Sequence, residues 1–70
     1  MMEALLFYLL VGTMPTQNWM TLDPDKREKT IGVMAYRYFR ANRDCAEAEI
    51  SIQIKGEVTF FYGKCVKPTA

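Results

Sequence analysis

The chain has 70 residues, of which 50% are hydrophobic and 24% are charged, and its nine basic and eight acidic side chains give a net charge of +1. This composition excludes an intrinsically disordered chain and a protein whose bulk charge alone would attract nucleic acid. A chain of this length forms one small domain, residues 1–70. It contains no histidine, which is the usual general base and the commonest metal ligand in proteins. We therefore expect a protein that is not an enzyme and that needs no cofactor and no metal.

Residues 4–11 form an uninterrupted apolar segment that ends before Gly12 and Pro15. The segment is too short to cross a bilayer, and it lacks the basic residues and the small-residue cleavage site of a signal peptide. A short apolar run fits a buried strand, although a short buried helix has the same pattern. We predict a strand, with no membrane association and a cytoplasmic location.

As a strand, this segment is apolar on both faces, with Tyr8 and Leu10 on one of them. A single helix covers only one face, so the other needs either a second protein chain or the loop that carries Trp19. Both interpretations stay open, because a lone tryptophan often fills a core. Trp19, Tyr8 and Leu10 are accordingly candidate protein-binding residues.

Residues 24–42 carry the clearest helix pattern. Asp23 fits the N-cap, and Pro24 fits the first turn, where its missing N–H costs nothing. At about 100° per residue, apolar and basic side chains separate onto opposite faces. Gly32 lies midway, where we expect it to be tolerated and not to be needed for close backbone contact. The apolar face, which we expect to pack on a sheet, has Ile31, Met34, Ala35, Tyr38 and Phe39.

The opposite helix face is basic, with one aromatic side chain among the cations. Such a face can lie against phosphates, although basic residues on an exposed helix more often only keep a protein soluble. Asp25, Glu28 and Asp44 lie close to the same surface and weaken the nucleic-acid interpretation. The candidate nucleic-acid-binding residues are Lys26, Lys29, Tyr36, Arg37, Arg40 and Arg43.

Two alternating segments, residues 46–54 and 57–65, predict a β-hairpin. A loop that ends at Gly56 puts glycine in the left-handed position of a bulged turn and pairs Gln53 with Glu57. In that register the core face of the hairpin has Ile50, Ile52, Val58, Phe60 and Tyr62.

The same register has two further consequences. It turns Phe61 to the opposite sheet face, which makes Phe61 a candidate protein-binding residue unless it packs beneath Trp19. It also places Cys45 across from Cys65, so a disulfide is sterically feasible, but the expected intracellular location favours two reduced thiols. Residues 67–70 are polar and contain a proline, and we expect them to fray.

Together these elements predict an α+β fold of order β-α-β-β, with a three-stranded sheet and one main helix packed on one face. Excess apolar surface on the sheet and at its edge favours a small protein-binding regulator or inhibitor. We expect it to form a homo-oligomer and to have a protein partner of unknown identity. Nucleic-acid binding through the basic helix face is the alternative. The small size suits an accessory protein of a phage or another mobile element.

Overall fold

The computed structural model describes residues 8–69, which form a three-stranded antiparallel sheet with the main helix across one face. The strand order is β1-β3-β2, so β3 is central and the other two strands are edges. This is the α+β fold that the sequence predicts, with one short additional helix. The elements are β1 (Tyr8–Pro15), α1 (Thr16–Thr21), α2 (Pro24–Ala41), β2 (Cys45–Lys55) and β3 (Val58–Pro68).

The first strand lies further along the chain than predicted, because it continues past Gly12 to Pro15. Residues 4–7, the start of the predicted strand, lie outside the described residues. A bulge separates Leu10 from Gly12, and a Cβ atom on Gly12 would lie 2.5 Å from the sulfur of Met34. Gly12 therefore marks a close approach of helix and strand, not the end of the strand.

The main helix begins where its sequence signals predict and ends at Ala41, one residue before the predicted end. The Asp23 carboxylate accepts a hydrogen bond of 2.9 Å from the backbone N–H of Lys26, which satisfies a donor that the first turn leaves open. After Ala41, the backbone N–H of Asn42 donates to the Tyr38 carbonyl at 2.8 Å. The predicted apolar face is confirmed, since the side chains that are buried or partly buried include Ile31, Met34, Ala35, Tyr38 and Phe39.

The turn between β2 and β3 is shorter than predicted. Lys55 pairs with Val58, so only Gly56 and Glu57 form the turn. Gly56 has a φ of 62°, which confirms the predicted left-handed glycine, but it occupies the first central position, as in a type II′ turn. The predicted pairing of Gln53 with Glu57 is therefore wrong.

The observed register exchanges the two faces of β3. Ile52 pairs with Phe61 and Ile50 pairs with Gly63, and these residues face α2. Side-chain direction alternates along a strand, so a shift by an odd number of residues moves every side chain to the other face. The predicted core face is wrong for three residues that point away from the helix, namely Val58, Phe60 and Tyr62.

The core between the sheet and the helices is centred on Phe61, which is 0% exposed. The Trp19 ring, contributed by α1, meets Phe61 edge-on with ring centroids 5.3 Å apart. The Arg27 guanidinium lies over the Trp19 ring, 5.2 Å from the ring centroid. Trp19 is thus a core residue, but it lies on the side of the sheet that carries α2, so the interpretation that its loop covers the opposite face is wrong.

Cys45 and Cys65 form a disulfide, with their Cα atoms 5.8 Å apart. The prediction of two reduced thiols is therefore wrong. The two residues are not directly opposite one another, because Cys45 pairs with Pro68 and Cys65 pairs with Ala48. Irregularities on both sides of Glu47 separate these pairings in β2, and the disulfide joins the strands across this bulged region.

The end of the chain is held against the start of β2. Pro68 is the last residue of β3, and the next residue, Thr69, donates its backbone N–H to the Asp44 carbonyl at 2.9 Å. The Thr69 hydroxyl donates to the same oxygen at 3.2 Å. The predicted fraying is therefore wrong for residues 67–69, and Ala70 lies outside the described residues.

Candidate protein-binding and nucleic-acid-binding surfaces

The sheet face that points away from α2 is the first candidate surface, and we term it the open face. Its members follow from the register, because residues that pair across neighbouring strands point to the same side. Its apolar side chains are Tyr8, Leu10, Val58, Phe60 and Tyr62. Its polar side chains include Thr13, Glu49, Ser51, Gln53, Lys55 and Lys64.

Two lysine side chains lie beside aromatic rings on the open face. The rings of Phe60 and Tyr62 stack along β3 with centroids 6.3 Å apart and planes inclined by 25°. The Lys55 ammonium lies 5.9 Å from the Phe60 ring, and the Lys64 ammonium lies 5.5 Å from the Tyr8 ring. These distances lie within the range of cation–π contacts. A depression of about 430 Å³ on this face is lined by Tyr8, Ser51, Gln53 and Tyr62.

The four predicted protein-binding residues divide between this face and the core. Tyr8 and Leu10 lie on the open face and are 40% and 49% exposed. Trp19 and Phe61 are 6% and 0% exposed and pack on each other. The prediction that Phe61 faces away from the core is wrong, and neither core ring forms part of an exposed surface.

Phe60 and Tyr62 are the open-face residues that the predicted register assigned to the core. Both sides of β3 carry aromatic residues, so hydrophobic alternation does not distinguish them. The turn sequence does distinguish the two faces, because Gly56 followed by Glu57 fits a two-residue turn with glycine in the first position. That turn alone would have moved both rings to the open face.

The outward side of α2 is the second candidate surface, and we term it the basic face. Arg40 places its guanidinium 5.9 Å from the ring of Tyr36, which is 62% exposed. Arg37 reaches toward β1 and donates to the Val11 carbonyl at 3.4 Å. Arg43 is exposed but follows the end of the helix. The exposed side chains on the basic face are Lys26, Lys29, Val33, Tyr36, Arg37 and Arg40.

Within residues 8–69, no group of three or more histidine, cysteine, aspartate and glutamate side chains is placed to hold a metal ion. In the same part of the chain, every helix falls short of the length and apolar character that crossing a membrane requires. The chain matches no protein-family model, no curated protein and no solved structure.

Proposed function

We propose that this protein is a small non-enzymatic regulator or inhibitor that self-associates and binds a protein partner through its open face. The observation that carries the proposal is the exposed aromatic and aliphatic cluster on the sheet face opposite α2, where Tyr8 and Leu10 are 40% and 49% exposed. Contiguous apolar patches of this kind on soluble domains mark interaction surfaces. Aromatic residues are enriched at such interfaces and dominate their binding energy.

The position of the aromatic residues favours tight binding. Phe60 and Tyr62 lie on β3, which is hydrogen-bonded to a strand on each side. A central strand is already ordered before the partner arrives, so little conformational entropy is lost on binding. Lys55 and Lys64 add positive charge beside the rings, which suits a partner whose surface is apolar with acidic groups at its rim.

The test begins with a partner captured from the native host and purified, followed by calorimetric titration of variants. We expect Tyr62→Ser to weaken binding about tenfold or more, equivalent to about 1.4 kcal/mol. Tyr36→Ser is the matched control, because it removes an exposed tyrosine from the opposite side of the protein. Equal affinities for both variants would contradict the role of the open face.

A second function is favoured by one specific observation. Five of the six residues predicted to bind nucleic acid lie on the basic face, namely Lys26, Lys29, Tyr36, Arg37 and Arg40. Phosphate contacts by the four lysine and arginine side chains among them would give an affinity that falls steeply with salt, by about 0.9 log units of binding constant per log unit of salt for each neutralised phosphate of duplex DNA. We expect Arg37→Gln to reduce that slope and Lys55→Gln, on the open face, to leave it unchanged. Absence of DNA and RNA binding at low salt would exclude this function.

The cytoplasm remains the proposed location, and the Cys45–Cys65 disulfide is the observation that opposes it. Disulfides persist mainly in oxidising compartments. Thiol labelling in rapidly quenched host extracts tests the location. Labelling of both cysteines without prior reduction would support the cytoplasm, and labelling only after reduction would contradict it.

A further inference from the structure

The outer edge of β2 has no partner strand within residues 8–69, because the sheet order ends at this strand. Lys55 and Val58 close a two-residue turn and are therefore a hydrogen-bonded pair. Hydrogen-bonded and non-hydrogen-bonded pairs alternate along an antiparallel ladder. The backbone N–H and C=O groups that point away from β3 are consequently those of Ile50, Ile52 and Ile54.

The two edges of the sheet differ in how they resist pairing with another chain. β1 has a bulge between Leu10 and Gly12 and ends in a proline, Pro15. Bulges and prolines are devices that block edge-to-edge association. The segment of β2 from residue 49 to 55 has neither, since its irregularities lie on either side of Glu47. Ile54 in this segment is 51% exposed.

We infer that residues 49–55 of β2 pair antiparallel with the same segment of a second copy of this chain, about a two-fold axis at Ile52. This pairing places Glu49 opposite Lys55 of the second copy, and Lys55 opposite Glu49 of the second copy. It also places Ile54, which is half exposed, against Ile50 of the second copy on the side of the sheet that carries α2. The segment is thus complementary to itself in charge, apolar contact and backbone hydrogen bonding.

Neighbouring registers that keep the hydrogen-bond pattern are less favourable. A shift in one direction places Glu49 opposite Glu57 of the second copy, where like charges repel. A shift in the other direction brings Glu47 and its flanking irregularities into the ladder. Only the register centred on Ile52 combines opposite charges with a regular strand.

This inference rests on the self-association within the proposed function and names the surface that performs it. The two-fold axis runs perpendicular to the sheet, so both α2 helices lie on the same side of one continuous sheet. The open faces of both copies lie together on the other side. Self-association at the β2 edge therefore leaves the open face available to a protein partner.

Hydrogen exchange followed by NMR tests the inference without any substitution. As protein concentration rises through the monomer–dimer transition seen by sedimentation, we expect slower exchange at the amides of Ile50, Ile52 and Ile54. The amides of Ser51 and Gln53 face β3, so they should be protected at every concentration. A dimer in which the three isoleucine amides still exchange freely would overturn the inference. A protein that stays monomeric at millimolar concentration would also overturn it.

Charge reversal tests the register. Glu49→Lys and Lys55→Glu should each weaken self-association tenfold or more, because each creates two like-charge contacts in the dimer. An equal mixture of these two variants should regain native affinity as a heterodimer, and so should the chain that carries both changes. Lys29→Glu, a reversal on the basic face, is the matched control and should have no effect. Failure of the mixture to recover affinity would overturn the register.

These outcomes are separable from those of the proposed function. Titration of the partner against Tyr62→Ser reports on the open face, and sedimentation of the charge-reversed chains reports on the β2 edge. A monomeric charge variant that still binds the partner with native affinity shows that the open face acts independently. A Tyr62→Ser chain should form the dimer normally, and its failure to do so would overturn the assignment of the dimer contact to the β2 edge.

Discussion

The ring of Tyr38 on α2 occupies the space that a Cβ atom on Gly63 of β3 would need. Both residues are buried, and the Tyr38 hydroxyl accepts a hydrogen bond of 2.9 Å from the Asn42 side-chain amide. The ring is therefore held by the last turn of the helix at one end and by the central strand beneath it. This contact sets how closely α2 approaches the sheet.

We expect Gly63→Ala to destabilise the protein by about 1–3 kcal/mol, the usual cost of adding a methyl group to a filled core. The new Cβ would overlap the Tyr38 ring, and that ring is confined between helix and strand. The free energy of unfolding from urea titration measures the effect. An unchanged unfolding midpoint would show that the helix moves away from the strand at no cost.

Gly32→Ala should have the opposite effect. Among residues 8–69, nothing beyond its chain neighbours and the adjacent helix backbone lies within 4 Å of the position that a Cβ on Gly32 would take, which confirms that the glycine is tolerated and not required. Alanine removes the conformational penalty of glycine in a helix, so the free energy of unfolding should rise by about 1 kcal/mol. The same urea titration applies, and a loss of stability would mean that α2 needs flexibility at this point.

The main helix could be predicted from the sequence because its signals agree with one another. Asp23 caps the first turn through its side chain, and the buried residues Met34 and Tyr38 recur at helical spacing. α1 could not be predicted, because its 6 residues lack a side-chain cap at Pro15 and lack charged residues in both end turns. Helices this short are formed by tertiary contacts, here the burial of Trp19 against the core.

The hairpin was located correctly, but its register was not. β3 is apolar on both faces, so packing patterns favoured two registers, and the choice depended on the turn. The disulfide was feasible in the predicted register, and only the expected intracellular location, which rests on the absence of a secretion signal, favoured reduced thiols. The basic face could be predicted from the helix pattern alone. The positions of Phe60 and Tyr62 on the open face could not, because they depend on the hairpin register.

Adjacent phenylalanines on β3 provide a direct check of this register. Phe61 is 0% exposed and packs on Trp19, whereas Phe60 lies on the open face. We expect Phe61→Ala to cost about 3–5 kcal/mol, enough to unfold a domain of this size under many conditions. Phe60→Ala should cost about 1 kcal/mol or less, because its ring is only partly buried. Equal losses of thermal stability would contradict the assignment of the two faces.

The disulfide between Cys45 and Cys65 should contribute measurably to stability. It closes a loop with a sequence separation of 20, for which loop entropy predicts about 3 kcal/mol. β2 and β3 are already adjacent across the turn at Gly56, so residual hairpin structure in the unfolded chain makes this figure an upper bound. Addition of dithiothreitol should therefore lower the unfolding free energy by up to that amount. The double variant Cys45→Ser/Cys65→Ser should have this lower stability even without reductant, and dithiothreitol should not change it. A native chain whose unfolding midpoint ignores the reductant would show that the thiols are not joined in solution.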